Sequence, residues 1–145
     1  MAVVKRSALV PYRAEFMFGL VNDIESYPRF LPWCRSAVIH CRDDDEVRAT
    51  IQMSKGALQK SFTTVNRLQK NKMMEIRLVE GPFRRLEGFW RFDRLSEDAC
   101  KVSLDLSFEF AGPIMSRVVE PVFHQIANSL VDAFCKRASD LHRKA

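Results

Sequence analysis

Few residues of this chain have the types and spacing that acid–base or metal chemistry requires. His40, His124 and His142 are scattered, and none has a partner at metal-ligand spacing. The sequence also lacks a G-x-S-x-G elbow, an H-E-x-x-H pair, a phosphate-binding loop and a dinucleotide fingerprint. His124 adjoins an apolar helical stripe, where it is either at a cavity mouth or at an ordinary flanking position. These observations argue against the common hydrolase, metalloprotease and nucleotide-binding classes.

The carboxylates are no better placed for catalysis. Strand side chains alternate between the two faces of a sheet, and the acidic residues of the predicted strands fall opposite the apolar ones. Burial raises the pKa of a carboxylate towards neutrality, but this pattern predicts exposure. The predicted interior of Met, Leu, Ile, Val, Phe and Trp suits an apolar molecule and moves no protons, so we expect no enzyme. The acidic residues concerned are Glu75, Glu87, Asp93, Asp105 and Glu109.

The cysteines indicate neither a zinc site nor a disulfide scaffold. Cys34, Cys41, Cys100 and Cys135 contain no C-x-x-C pair, so we expect buried, reduced thiols in a cytoplasmic protein. Polar residues interrupt every apolar segment, and residues 1–12 lack the apolar core of a secretory signal. Peripheral contact with the inner membrane is a further expectation.

The chain is basic, with a formal charge of +5 and a pI near 9.2. This balance favours an anionic partner such as nucleic acid or a membrane surface, although a solvated basic surface explains it equally well. Basic residues of the middle strands and turns are expected to form a stripe on the polar face, able to follow phosphates. Phe89 alone offers a stacking aromatic there. The predicted RNA or ribosome contacts are Lys60, Arg67, Arg84, Arg85 and Arg91.

Hydrophobic periodicity divides the chain into one strand, two short helices, about six further strands and a long helix. Turn residues separate the later strands at intervals of roughly ten residues, as in a single antiparallel sheet. The length suits one domain over residues 1–145. The predicted strands are Val3–Val10, Ser36–Cys41, Val47–Met53, Leu58–Leu68, Met73–Val79, Leu86–Leu95 and Lys101–Phe110, and the short helices are Arg13–Val21 and Ile24–Leu31.

The last third of the chain has the clearest pattern. Residues 101–110 alternate strictly between polar and apolar, which predicts a sheet with one dry face. About thirty residues after Gly112-Pro113 then carry apolar side chains at helical spacing. Pro121 interrupts this helix: either the helix kinks there, or a segment from Pro113 to Val119 ends and the main helix begins with Pro121 in its first turn. A curved sheet against such a helix can enclose a cavity. The apolar stripe comprises Met115, Val118, Val119, Val122, Phe123, Ile126, Leu130, Phe134 and Leu141.

Two proline-containing stretches, Tyr27–Trp33 and Glu80–Arg85, combine aromatic side chains with arginines. This composition suits a portal for an amphipathic ligand, a membrane interface or a macromolecular surface. The alternative is that the aromatics close the ends of the core.

Several short motifs follow one another along nearly the whole chain. They are Arg6-Ser7-Ala8, Pro11-Tyr12, the run from Val21 to Cys34 with its Tyr-Pro-x-Phe-Leu-Pro core, Phe62-Thr63-Thr64, Gly81-Pro82-Phe83, Leu86-x-Gly88-x-Trp90-x-Phe92, Phe108-Glu109-Phe110, Pro121-Val122-Phe123 and Ala133-Phe134. This combination resembles the coenzyme Q-binding START-type proteins of the polyketide cyclase-like SRPBCC superfamily. Bacterial members of that group are also described as RatA-type ribosome-association toxins. One small departure is Glu80, which stands where aspartate is common.

The resemblance implies an α+β helix-grip (START-like) fold: a curved antiparallel sheet wrapped around a long C-terminal helix, with two short helices after the first strand. It implies non-catalytic binding of a hydrophobic molecule, ubiquinone or a precursor, in support of respiration and without another cofactor. The alternatives are a RatA-like toxin that binds the large ribosomal subunit and blocks subunit association, and a polyketide cyclase-like enzyme. The predicted lining residues are Phe30, Leu31, Trp33, Met53, Leu78, Phe83, Trp90, Phe123 and Ile126.

Overall fold

The computed structural model describes residues 2–144, so Met1 and Ala145 of the predicted domain lie outside the described residues. Two short helical segments follow the first strand, and a long helix follows the last, as the periodicity predicts. The strands are β1 (Ala2–Val10), β2 (Cys34–Arg42), β3 (Glu46–Lys55), β4 (Leu58–Gln69), β5 (Met73–Glu80), β6 (Phe83–Ser96) and β7 (Ala99–Phe110). The helices are α1 (Ala14–Asn22), a 3₁₀ segment (Ile24–Arg29), a π-turn (Met115–Val119) and α2 (Glu120–Lys144).

The strands form one antiparallel sheet in the order β1-β7-β6-β5-β4-β3-β2. From β2 onward, each strand pairs with the next strand in the chain, because short turns join consecutive strands as antiparallel neighbours. β1 and β2 lie at opposite edges, so α1 and the 3₁₀ segment span the distance between them. The sheet therefore stays open, and its inner face receives α2. The predicted helix-grip fold is confirmed.

Alternation along β7 decides which side of the sheet forms the core. All five apolar residues predicted to face inward, from Val102 to Phe110, are buried, and the polar residues between them are more accessible. The helical stripe is also confirmed through Phe123, Ile126 and Phe134, but Val118 is 51% exposed. Val118 lies in the π-turn, where the wider turn carries its side chain away from the sheet.

β6 begins at Phe83, three residues before the predicted start at Leu86. Phe83 and Leu86 are three positions apart, so a regular strand would place them on opposite faces. A register irregularity between Phe83 and Arg85 lets both of them face the core. The bulge breaks the two-residue period, so the first residues of this strand cannot be recognised by alternation.

Of the two alternatives for Pro121, the structure has the second: a separate segment ends at Val119, and the main helix begins with Pro121 in its first turn. A π-turn precedes α2, and Pro121 occupies the first turn of α2. The N–H of Glu120 bonds to the carbonyl of Met115, five residues back. Since proline has no N–H to donate, a widened turn ahead of it is a natural place for the helical ladder to change register. Within residues 2–144, no helix combines the length and apolarity needed to cross a membrane.

Candidate ligand cavity and basic groove

A cavity of about 90 Å³ lies between α2 and the inner face of the middle strands. The helix backbone lies close to β1 and β7, and its apolar side chains reach over the cavity. Most of the lining is aliphatic or aromatic, as the strand and helix patterns predict. The lining residues are Ile24, Tyr27, Trp33, Ala49, Ile51, Phe62, Thr64, Asn66, Met74, Ile76, Leu86, Trp90, Leu106, Phe123, Ile126, Leu130 and Phe134.

Four of the nine predicted lining residues belong to this cavity: Trp33, Trp90, Phe123 and Ile126. The other five lie outside the lining because they pack elsewhere. Leu31 and Met53 are almost fully buried in the core, and the Phe83 ring packs on Phe110 and Phe123. Leu78 is half-buried on β5, and Phe30 stacks edge-on against Phe134 beneath the guanidinium of Arg137. Ligand contact by the four lining residues remains a prediction.

The prediction of an almost wholly apolar interior is wrong at two positions of β4. Thr64 and Asn66 are only 6% and 7% exposed and line the cavity. Thr64 Oγ1 donates to Asn66 Oδ1 over 3.1 Å, and Asn66 Nδ2 donates to Met74 Sδ over 3.6 Å. The signal was present in the sequence, because Phe62, Thr64 and Asn66 share one face of a strand that reads as unusually polar.

The segment Tyr27–Trp33 closes one end of the core. Tyr27, Leu31 and Trp33 are all buried, and the Tyr27 hydroxyl donates to the carbonyl of Val21. Burial strongly raises the pKa of Tyr27, so its hydroxyl stays neutral. The carbonyl of Trp33 accepts the N–H of Ser54, which ties this segment to β3. Of the two interpretations of this stretch, a portal or a closure of the core, the structure fits the closure.

The second stretch, Glu80–Arg85, lies where the sheet separates. β5 and β6 pair only between residues 73–77 and 87–91, so the end of β5 leaves its neighbour before the turn. Gly81 adopts a φ of 154°, and a Cβ there would come within 2.7 Å of the Cβ of Phe62. Phe83 is buried against the core. This stretch therefore has a gap in the ladder between β5 and β6, and its aromatic ring is not exposed.

Within the described part of the chain, no His, Asp, Glu, Lys, Arg or Cys side chain lines the cavity. His40 bonds to Thr50, and His142 stacks on Tyr12. His124 is exposed beside Phe108 and takes the flanking position, outside the cavity lining. Among the described residues, no three His, Cys, Asp or Glu side chains gather where they could hold a metal ion. The cavity can hold and orient an apolar molecule, but it supplies no group that exchanges protons near neutral pH.

The cysteines are free thiols with unequal exposure. Cys34 and Cys100 are buried, and burial raises the pKa of each to about 11. Burial also raises the pKa of Cys135, which is half-buried. Cys41 is exposed on β2, which corrects the expectation that all four thiols are buried. It lies near the end of β2, which is an edge strand of the sheet.

The predicted basic stripe is largely neutralised by neighbouring carboxylates. Arg67 lies 4.0 Å from Glu46, Arg84 lies 3.7 Å from Glu109, Arg85 lies 3.7 Å from Glu87, and Arg91 lies 3.4 Å from Asp93. Lys60 does not share their face: it pairs directly with the buried Met53, and paired residues point to the same side of a sheet. The carboxylates predicted to face outward lie on the outer face, which explains the pairing.

A different surface carries basic residues without such partners. A groove of about 790 Å³ runs between the start of α1, the β4–β5 turn and the end of β6. Its exposed Lys70, Lys72 and Arg94 form no ion pair with any other described residue. We call this surface the basic groove. It is lined by Ala14, Glu15, Gln69, Lys70, Asn71, Lys72, Met73, Phe89, Arg91, Phe92, Asp93 and Arg94.

An open antiparallel sheet, a long helix against its inner face and an apolar cavity between them characterise the START-like fold. A sequence profile described as "Polyketide cyclase / dehydrase and lipid transport" matches residues 10–135. The chain belongs to this family.

The chain is similar to two proteins with different names. The ribosome association toxin RatA of Pseudomonas aeruginosa is 45% identical over 139 residues, which is 96% of each chain. The mitochondrial coenzyme Q-binding protein coq10 of Schizosaccharomyces pombe is 23% identical over 146 residues, covering 96% of this chain and 88% of the relative. Both confirm the resemblance read from the motifs. Neither name describes an enzyme.

Solved structures of the same fold include enzymes. The Zhui aromatase/cyclase from Streptomyces sp. R1128 has a TM-score of 0.80 at 16% identity, with 95% of this chain and 93% of the other covered. A START superfamily protein from Mycobacterium smegmatis has a TM-score of 0.79 at 21% identity, with 96% and 98% covered. At these identities the likeness shows the fold and does not transfer an activity.

Proposed function

We propose that this protein is a ribosome-association factor of the RatA type, which binds the large ribosomal subunit and limits its joining to the small one. The observation that carries the proposal is 45% identity to a protein named for ribosome association, over 96% of both chains. The proposal entails a cytoplasmic location and no catalytic step. The cavity supports the non-catalytic role because its lining lacks an acid–base pair.

The basic groove is the surface that best suits ribosomal RNA. Lys70 and Lys72 flank Asn71, whose φ of 64° makes the tight β4–β5 turn that brings both lysines beside Arg94. The Lys72 carbonyl accepts the N–H of Phe92, which holds this turn against β6. Unpaired cations attract phosphates without first breaking an ion pair. The half-buried Phe89 ring lies in the same groove and offers a face on which an unpaired base can stack.

Subunit reassociation in vitro tests the proposed function. Purified large and small subunits are mixed with the protein, and their joining is followed by light scattering and sucrose gradients. The wild-type protein is expected to lower the yield of joined ribosomes and to sediment with the large subunit. Normal joining in the presence of excess folded protein would contradict the proposal.

A second candidate function is binding of an apolar small molecule, such as a quinone, in the cavity. The specific observation that favours it is a mainly apolar cavity lined by two tryptophans and several aliphatic side chains, in a chain related to a coenzyme Q-binding protein. The space of about 90 Å³ is small beside the roughly 300 Å³ of a typical ligand pocket. A quinone ring therefore requires the lining to open, and the unpaired end of β5 beside β6 is the part of the sheet best able to yield.

Filling the cavity tests this second function. Ala49 is 2% exposed and lines the cavity, so the added carbons of Ala49→Leu project into existing space. Arg48→Leu, which adds an apolar side chain at the exposed neighbouring position, is the control. Native mass spectrometry with organic extraction should find lipid on the wild type and on Arg48→Leu but not on Ala49→Leu. Equal lipid content in all three proteins, or none in the wild type, would rule out the cavity as its binding site.

A further inference from the structure

The cavity contains a built polar pair in an otherwise apolar wall. Thr64 and Asn66 lie two residues apart on β4, so their side chains emerge on the same face. Across the neighbouring strands, Thr64 pairs with Ala49 and Asn66 pairs with Ile76. The pair therefore sits in the middle of the sheet among apolar side chains, and both residues are more than nine-tenths buried.

The hydrogen bonds leave one donor of this pair without an acceptor. Thr64 Oγ1 donates to Asn66 Oδ1, which fixes the amide oxygen towards Thr64 and the amide nitrogen away from it. Asn66 Nδ2 has one acceptor among the described residues, Met74 Sδ at 3.6 Å. A thioether sulfur is a weak acceptor, and a primary amide carries two N–H groups. One N–H of Asn66 thus remains to be satisfied at the cavity wall.

We infer that Thr64 and Asn66 form a recognition site for a carbonyl oxygen on an apolar ligand of the quinone class. This inference rests on the second proposed function, ligand binding in the cavity. A buried N–H without a good acceptor is costly, and a ligand carbonyl supplies the acceptor that the protein does not. Thr64 acts as the positioning residue, since its hydroxyl occupies the amide oxygen and presents the amide nitrogen as a donor. The surrounding lining then selects an apolar body, and Asn66 selects the carbonyl.

Two probes of similar apolar bulk separate carbonyl recognition from simple filling of space. Decylubiquinone carries ring carbonyls, and decylbenzene has the same alkyl chain without them. Binding of decylubiquinone is read by quenching of the protein's two tryptophans, both of which line the cavity. Binding of decylbenzene is read by competition with decylubiquinone. The variants are Asn66→Leu, which removes the donor, and Thr64→Val, which removes its orientation. Thr63→Val is the matched control, because Thr63 lies on the opposite face of the same strand.

Asn66→Leu is expected to weaken decylubiquinone binding about tenfold, as loss of one hydrogen bond requires, and to change decylbenzene binding less than twofold. Thr64→Val should also weaken the binding of decylubiquinone. Thr63→Val should change the affinity for neither probe. An equal loss for both probes, or no loss for decylubiquinone, would overturn the inference while the cavity function stands. Failure of the folded wild type to bind either probe would overturn both.

Discussion

At the scale of single residues, Gly88 shows why one motif position must be a glycine. A Cβ at this site would lie 2.2 Å from the carbonyl oxygen of Asp105 and 2.8 Å from the Cα of Leu106. These are backbone atoms of the paired strand β7, so they cannot move aside as a flexible side chain can. Gly88 therefore permits the close approach of β6 and β7 beneath the cavity.

Gly88→Ala is expected to lower the free energy of unfolding by about 3 kcal/mol or more, because the methyl group meets backbone on the neighbouring strand. Urea denaturation followed by circular dichroism measures the change. Gly19→Ala is the control: Gly19 lies in α1 with no heavy atom within 4 Å of its added Cβ, and helix propensity predicts a gain of about 0.5–1 kcal/mol. Equal effects at the two sites would contradict the packing argument.

The buried thiols make stability depend on alkaline pH. The pKa values of Cys34 and Cys100 rise from an ordinary 9.0 to about 11 in the folded chain. Below pH 9 the folded and unfolded chains both keep these protons. Between pH 9 and 11 the unfolded chain releases them and the folded chain does not, so the free energy of unfolding falls as the pH rises.

The double variant Cys34→Ala/Cys100→Ala is expected to lose less stability than the wild type between pH 8.5 and 10.5, whatever its absolute stability. Urea midpoints at the two pH values give the comparison. Cys41→Ala, at the exposed cysteine, should keep the wild-type pH dependence. Identical slopes in all three proteins would show that the two buried thiols do not control this dependence.

At the scale of elements, the junction of β7 with the helical region is held by both backbone groups of one residue. The N–H of Phe110 donates to Glu120 Oε1 over 3.2 Å, and its carbonyl accepts from Ser116 Oγ over 3.3 Å. Ser116 belongs to the π-turn and Glu120 begins α2. The pair of bonds fixes where the helix begins relative to the sheet, next to the cavity residue Phe123.

Glu120→Ala is expected to lower the free energy of unfolding by about 1–2 kcal/mol, because it leaves the N–H of Phe110 without its acceptor. Glu120→Gln keeps an acceptor oxygen and should lose less than half as much. Chemical denaturation of the three proteins gives the values. A wild-type stability for Glu120→Ala would mean that this bond does not hold the junction.

The same elements show what can be read from sequence. The inner faces of β7 and α2 follow from local periods of two and about 3.6 residues, so the fold was predictable. The first residues of β6 could not be predicted, because a bulge breaks the alternation of polar and apolar residues there. The contact between Thr64 and Asn66 and the assembly of the basic groove depend on register and on a turn beside a distant strand. No local sequence pattern specifies that contact or that groove. The ion pairs that neutralise the outer basic stripe could be anticipated, because acidic and basic residues alternate along its strands.

At the scale of the whole molecule, charge is distributed unevenly. Carboxylates on the outer face pair with many of the arginines there, while Lys70, Lys72 and Arg94, at one end of the sheet, form no ion pair with another described residue. These three cations are the part of the formal charge of +5 that a partner entering the basic groove would meet. The cavity shares no lining residue with this groove, so the proposed ribosome contact and the proposed ligand binding would use separate surfaces.

The proposed binding of the large ribosomal subunit to the basic groove is tested most directly by its salt dependence. Affinity for purified large subunits is measured over a range of KCl concentrations for three proteins. They are the wild type, Lys70→Glu/Lys72→Glu/Arg94→Glu, and Arg35→Glu/Arg48→Glu/Arg117→Glu. The third protein makes the same charge change at exposed sites outside the groove.

The groove variant should bind much more weakly, and its slope of log affinity against log salt should be shallower by about 2–3, since three phosphate contacts are lost. The control should show a smaller loss of affinity and keep the wild-type slope. Equal slopes and affinities for the two triple variants would contradict the claim, because they would show that total charge and not the basic groove governs binding.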